Sequence, residues 1–262
     1  MEEIRISSWN DLSDQLYAGA WQESIGRFRS TEVYRGLRHA THHLTTSLMR
    51  LGRGYEPLEG HLLRTFRRYA HRYATPGDSI WNWLAVAQHH GLPTRLLDWT
   101  YSPYVALHFA TDEDNPSGTD SAIWCVDYVE SNRLLPQRLR AILREEGADV
   151  FTAEMLSRAA DTLPAFDRLA PEPFVAFFEP PSLDDRIVNQ FALFSLPSSA
   201  SIRLDHWLDT HEHIARKIII PAAVIREVRD KLDQANITER VLFPGLDGLS
   251  RWLTRYYRPK PN

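Results

Sequence analysis

Trp81, Leu84, Ala85 and Gln88 recur at helical spacing, and Gly91 supplies the left-handed residue that ends the helix they predict. Pro93 forbids any continuation, because it has no N–H to donate. Residues 94–100, Thr-Arg-Leu-Leu-Asp-Trp-Thr, are short, partly β-branched and aromatic, and bounded by breakers, which predicts a strand. Ser102 followed by Pro103 reads as an N-cap and a first helical position. Residues 105–110, Val-Ala-Leu-His-Phe-Ala, are apolar enough for a buried helix. A Gln88-His89-His90 triplet therefore stands at one end of a buried strand and Asp98-Trp99-Thr100 at the other. Polar groups held at the ends of buried elements are where a scaffold fixes site geometry.

The same patterning predicts a first helix over about 10–20 behind Ser8 and a strand over 32–37. An amphipathic helix over 57–73 turns Leu58, Leu62, Leu63, Phe66 and Tyr69 inward and most of its arginines outward. Residues 121–128 are apolar on both faces and predict a central strand. Residues 21–30 and 112–120 read as polar connections, and residues 132–163 as two helices around Gly147, a helical insertion. Strands follow over 174–179, 192–196, 215–220 and 240–243, with helices over 222–236 and 246–257 and a short one opened by Asp184 and Asp185. With no repeat and no long Pro- or Gly-rich linker, a single domain over 1–262 is expected. Its fold class is α+β: a central, mostly antiparallel sheet from the strands near Val33, Leu96, Ile123, Val175, Leu193, Ile218 and Val241, flanked by helices.

Composition narrows the function classes. A hydrophobic content of 43% with eight tryptophans suffices for a large core, and a net charge of −4 argues against nonspecific polyanion binding. Cys125 is the sole cysteine, so no intrachain disulfide is possible and a zinc finger cannot be built. No apolar run approaches the ~18 residues of a transmembrane helix, and the acidic start lacks the order of a signal peptide. A cytoplasmic protein with no membrane association is the expectation.

Arg35 is the first chemical candidate, because an arginine inside a strand is rarely buried without a partner. His39 and His43 would share a face if their stretch were helical, but no third ligand lies nearby and no metal is expected. Walker, dinucleotide-fingerprint, nucleophile-elbow and zincin motifs are all absent. The run from Arg251 to Arg258 interleaves arginines with aromatics, and reads as a terminal helix with its aromatics inward and its arginines in water.

Tyr34-Arg35-Gly36, then residues 88–100, Gln-His-His-Gly-Leu-Pro-Thr-Arg-Leu-Leu-Asp-Trp-Thr, and then residues 105–110 together resemble the FRG domain, whose motif begins Phe-Arg-Gly. Arg186 with Gln190 and Phe194, and Leu242-Phe243-Pro244-Gly245-Leu246-Asp247, are similar to the same family's C-terminal part. Tyr34 replaces the eponymous Phe, and Ala192 stands where glycine is expected.

The chain resembles more weakly the ADP-ribosyltransferases of the arginine-serine-glutamate type, and this resemblance implies an ADP-ribosyltransferase-like fold with NAD as substrate. It implies that Arg35, Tyr34 and Gly36, with Gln88, His89, Thr94, Arg95, Trp99 and Thr100, hold the dinucleotide. Asp98, His90, Glu179 and Gln190 would be catalytic, with Glu179 as the nearest strand-end carboxylate and Gln190 at the place of the missing glutamate. Cleaving the nicotinamide–ribose bond develops positive charge on the ribose, so a nearby carboxylate lowers the barrier. Trp99 or Tyr34 would stack on the nicotinamide, and His89 or His90 would shuttle a proton. The implied role is a toxin or antiphage defence effector acting on a protein or nucleic-acid acceptor, with an antitoxin or defence-system partner. Two other readings stay open: a non-enzymatic sensing or interaction module, and a His/Asp-based hydrolase or nuclease.

Overall fold

The computed structural model describes residues 1–74, 76–112, 118–182 and 184–258. Its strands are β1 (Glu2–Arg5), β2 (Trp21–Gln22), β3 (Arg27–Phe28), β4 (Glu32–Leu37), β5 (Leu97–Thr100), β6 (Ser121–Asp127), β7 (Val175–Phe178), β8 (Ala192–Pro197) and β9 (Ala215–Ile220). Seven of them form one sheet in the order β1-β9-β6-β4-β5-β8-β7. Only β1 and β9 pair in parallel; every other neighbour is antiparallel. The fold is α+β, with a mostly antiparallel sheet flanked by helices.

Side-chain alternation along the strands sorts the core into layers. On β6, Ile123 and Cys125 join one apolar cluster while Trp124 and Val126 join another. Tyr34 and Val33 on β4 divide between the same two clusters. The first cluster is completed from helix α1 (Trp9–Leu16), capped by Ser8, and from the helix Ala222–Gln234. A third cluster joins Leu96, Phe178, Phe194 and Leu196 to Trp81, Trp83 and Leu84, and to Leu139, Leu143 and Leu156 of the helices Gln137–Glu146 and Ala153–Ala159. These two helices flank Gly147, which caps the first with a left-handed φ of 61°.

Helices α2 (Leu58–Ala70), α3 (Ile80–His89) and α4 (Pro103–Ala110) bracket β5. Gly91 takes φ 79° just beyond α3, Ser102 caps α4 through the Val105 N–H, and Pro103 opens it, as the sequence predicts. No helix among the described residues is long and apolar enough to cross a membrane.

Five expectations are corrected. Residues 240–243 are not a strand: Glu239–Leu242 is a short helix, with Thr238 O accepting the N–H of Val241 and Leu242. The seventh strand is instead β1, whose charged Glu2, Glu3 and Arg5 conceal it, as charge often does on an edge strand. Within 21–30 the chain forms the β2–β3 hairpin rather than an irregular connection. On α2 the stripe is rotated: Leu58 and Tyr69 are exposed and Glu59 faces inward to meet Arg95. On the last helix, Leu246–Tyr256, the expected sorting holds only in part: Arg251 is exposed and Trp252 half-buried, but Tyr256 and Tyr257 are exposed while the Arg255 side chain is buried against Asp233 and Glu239. The stretch holding His39 and His43 is loop, so helical spacing does not apply to it. Within the connection 112–120, residues 113–117 lie outside the described residues.

Candidate functional site

The sheet splits beside Arg35. β4 pairs with β6 over six residue couples, yet with β5 only through Tyr34 and Thr100. Beyond that couple the strands part, and the Arg35 guanidinium reaches across, donating from Nη1 to the Asp98 carbonyl with the Asp98 carboxylate at 3.8 Å. A cleft of about 1040 Å³ opens there, lined from the sheet by Arg35, Asp98 and Ala192 and from the helices by Gln88, Phe109 and Arg186.

Each residue of Tyr-Arg-Gly has a separate task. Tyr34 is 1% exposed, its hydroxyl 3.0 Å from Ser30 Oγ and donating to Glu32 at 3.3 Å. Gly36 lies under α4: a Cβ there would run into Ala106 O and come within 2.6 Å of Ala110 N. Only Arg35 is aimed at the cleft. Burial pushes its guanidinium pKa down, Asp98 pulls it back, and Arg50 adds to the lowering. Its Nε is buried without a partner.

Asp98 is fixed from the other side. Gln88 Nε2 donates to Asp98 Oδ2 at 3.0 Å, and Gln88 Oε1 accepts from Thr94 Oγ1 at 2.5 Å. The chain Thr94–Gln88–Asp98 thus ties the end of α3 to β5. His89 Nε2 contacts Asp184 Oδ2 at 2.7 Å, and its ring meets His90 edge-on at 5.1 Å. Gln190 lines the cleft beside the helix Asp185–Asn189 and donates to Leu242 O at 2.9 Å, while its own carbonyl accepts from Thr100 Oγ1 at 2.7 Å.

Of the residues singled out in the sequence, Tyr34, Arg35, Gly36, Gln88, His89, His90, Asp98, Trp99, Thr100 and Gln190 border this cleft. Thr94 stands behind it, holding Gln88. Arg95 is not in it: Glu59 and Asp167 take its donors in a buried ion pair, with Nε bonded to Glu59 Oε1 at 2.8 Å. Glu179 is also outside, exposed at the end of the edge strand β7 and accepting from the Tyr101 hydroxyl at 2.9 Å. Neither Tyr34 nor Trp99 can stack on a ligand, because both rings are core; Trp99 Nε1 donates to Ser195 Oγ at 3.0 Å and the ring packs against Phe177.

Sequence reasoning passed over Arg38, Arg50 and Phe109, which also line the cleft; His39 and His43, considered only for metal spacing, line it too. All but Phe109 come from the irregular segment after β4, where no periodicity marks them. Arg186 stacks on Phe243 at 5.1 Å, and Phe243 meets Phe109 edge-on at 6.0 Å, so this wall offers an aromatic face. The described lining residues include four arginines, Arg35, Arg38, Arg50 and Arg186, and one carboxylate, Asp98. Groups of three or more His, Cys, Asp or Glu placed to hold a metal ion are absent among the described residues.

Fold and site together define an α+β protein with an arginine-lined cleft at a break in its sheet. Residues 30–119 match the model of the FRG domain. No curated protein and no solved structure matches the chain. Arg186, Gln190, Ala192 and Phe194 complete the cleft from beyond the matched span.

Proposed function

We propose that the cleft binds NAD and catalyses transfer of its ADP-ribosyl group to a macromolecular acceptor. The observation that carries this reading is the meeting of Arg35 with Asp98 at the break between β4 and β5. A guanidinium there suits a pyrophosphate, which it meets with a planar fork of donors. Arg50 and Arg186 add positive charge around it. A cleft of about 1040 Å³ is large enough for a dinucleotide. Asp98 is the carboxylate set to stabilise the oxocarbenium-like ribose as nicotinamide leaves, and Phe109 replaces Tyr34 and Trp99 as the ring offered to a base. Gln190 orients a hydroxyl but carries no charge, which leaves the electrostatic work to Asp98.

Nicotinamide release from NAD by the full chain tests this directly. Asp98→Asn should lower the rate by about a hundredfold with little change in NAD affinity, and Arg35→Ala should weaken NAD binding itself. A wild-type chain that neither binds NAD nor releases nicotinamide removes the proposal. The His89–Asp184 contact at 2.7 Å favours one other reading, a His/Asp-based hydrolase of a phosphate ester. Cleavage of a phosphodiester or nucleotide without nicotinamide release would select it.

A further inference from the structure

Two histidine–carboxylate pairs border the cleft, and they differ in what they leave open. His89 is committed to Asp184 through Nε2, and its side chain is 10% exposed. His43, on the loop after β4, contacts Asp205 Oδ2 through Nδ1 at 2.7 Å; the imidazole is 60% exposed while the Asp205 side chain is 6% exposed. A carboxylate so buried needs donors at its oxygens. Asp205 has them: Oδ1 accepts from Arg203 Nε at 2.8 Å, and Oδ2 faces His43. Nδ1 of His43 therefore carries the hydrogen, and in the neutral ring Nε2 keeps its lone pair.

The pair is not needed as a staple. Leu44, the next residue, packs in the same apolar cluster as Leu204 and Leu208 of the helix Leu204–Asp209 that carries Asp205. That shared cluster anchors loop and helix in one apolar layer, and the buried carboxylate has a solvent-facing imidazole as its partner. Orientation of an open imidazole by a buried carboxylate is the arrangement that prepares a general base.

We propose that His43, oriented by Asp205, is the general base of this cleft, its Nε2 accepting the proton of the attacking hydroxyl or water. The assignment rests on the transferase reading. As the acceptor oxygen forms its bond to the ribose carbon, the ribose–nicotinamide C–N bond breaks. That bond's electron pair stays on the nicotinamide nitrogen and cancels its positive charge, and the acceptor proton passes to His43. Asp205 and Arg203 face the imidazole from the helix side, and His42 neighbours it on its own loop. Asp205 is a positioning residue, since it acts only through the imidazole.

The test is nicotinamide release by the full chain and its His43→Ala variant, with and without added imidazole. Being exposed, position 43 should tolerate alanine, which thermal unfolding checks. The rate should fall by about a hundredfold, with NAD affinity held within about threefold, and free imidazole should restore part of the lost rate. Asp205→Asn, which favours the other tautomer, should slow release while leaving NAD affinity in place. Full activity in His43→Ala, or a loss that imidazole does not repair and that accompanies lost affinity, overturns the assignment while the transferase reading stands. A wild-type chain that releases no nicotinamide overturns both.

Discussion

Gln88 Nε2 donates to Asp98 Oδ2 at 3.0 Å, and this bond joins the last turn of α3 to the strand that forms one lip of the cleft. The amide can do so because Thr94 Oγ1 occupies its oxygen and fixes which end is the donor. Gln88→Ala and Asp98→Ala should therefore not be additive in stability. A double-mutant cycle by urea unfolding should give a coupling of about 1 kcal/mol. Strict additivity would mean that the bond holds nothing.

Gly36→Ala should destabilise the whole domain rather than the ligand site alone. The added methyl meets the backbone of α4 at Ala106 and Ala110, which cannot rotate away as a side chain can. The expected cost is about 3 kcal/mol, read as a lower urea midpoint, and a wild-type midpoint would refute the close approach of α4 to β4.

Arg95 and Glu59 should behave as a buried pair. Their side chains are 4% and 5% exposed, so Glu59→Ala leaves the buried Nε without its carboxylate and Asp167 as the one remaining partner charge. The expected loss is about 3–5 kcal/mol. Replacing both, as in Glu59→Leu with Arg95→Met, should recover most of it, and a single variant within about 0.5 kcal/mol of wild type would contradict the burial.

Acid should weaken the contact between α4 and the C-terminal helices. Burial first, and then Arg229, lower the His108 pKa from its ordinary 6.5 to about 4. Arg229 Nη1 donates to its Nδ1 at 3.0 Å, so the ring is held neutral. Between those two values the unfolded chain binds a proton that the folded chain refuses. Stability is thus complete above pH 6.5 and falls as pH drops toward about 4, by about 3 kcal/mol in all. Against the raising effect of its burial, Arg255 and Arg229 hold the Glu239 carboxyl down to about 2 from 4.5, so further stability goes as pH falls through that lower window. Urea midpoints between pH 7 and pH 4 check the upper window; His108→Gln should flatten it, and an unchanged slope would count against the neutral ring.

The elements around the cleft were legible because each carries a local signal. Gly91, Ser102 and Pro103 mark ends and starts through their own backbone chemistry, and residues 121–126 alternate between two buried faces. Where the signal was weak the reading failed. Charged residues hid the edge strand β1, and the four-residue helix Glu239–Leu242 is too short to show a period. Arg95 and Arg35 look alike as letters within strands, yet one is spent on Glu59 and Asp167 while the other reaches across the break in the sheet.

The amino-acid sequence by itself determined the α+β class, most of the strands and helices, and the polar groups at the two ends of β5, because helix and strand periods, caps and breakers act within a few residues. Only the tertiary structure decided which of those groups share a cleft. Glu179 was placed at the end of the edge strand, Tyr34 and Trp99 were turned into the core, and His43 was brought to Asp205 across 162 residues of chain. Such meetings depend on strand order and on where two strands part, and neither leaves a local mark in the sequence.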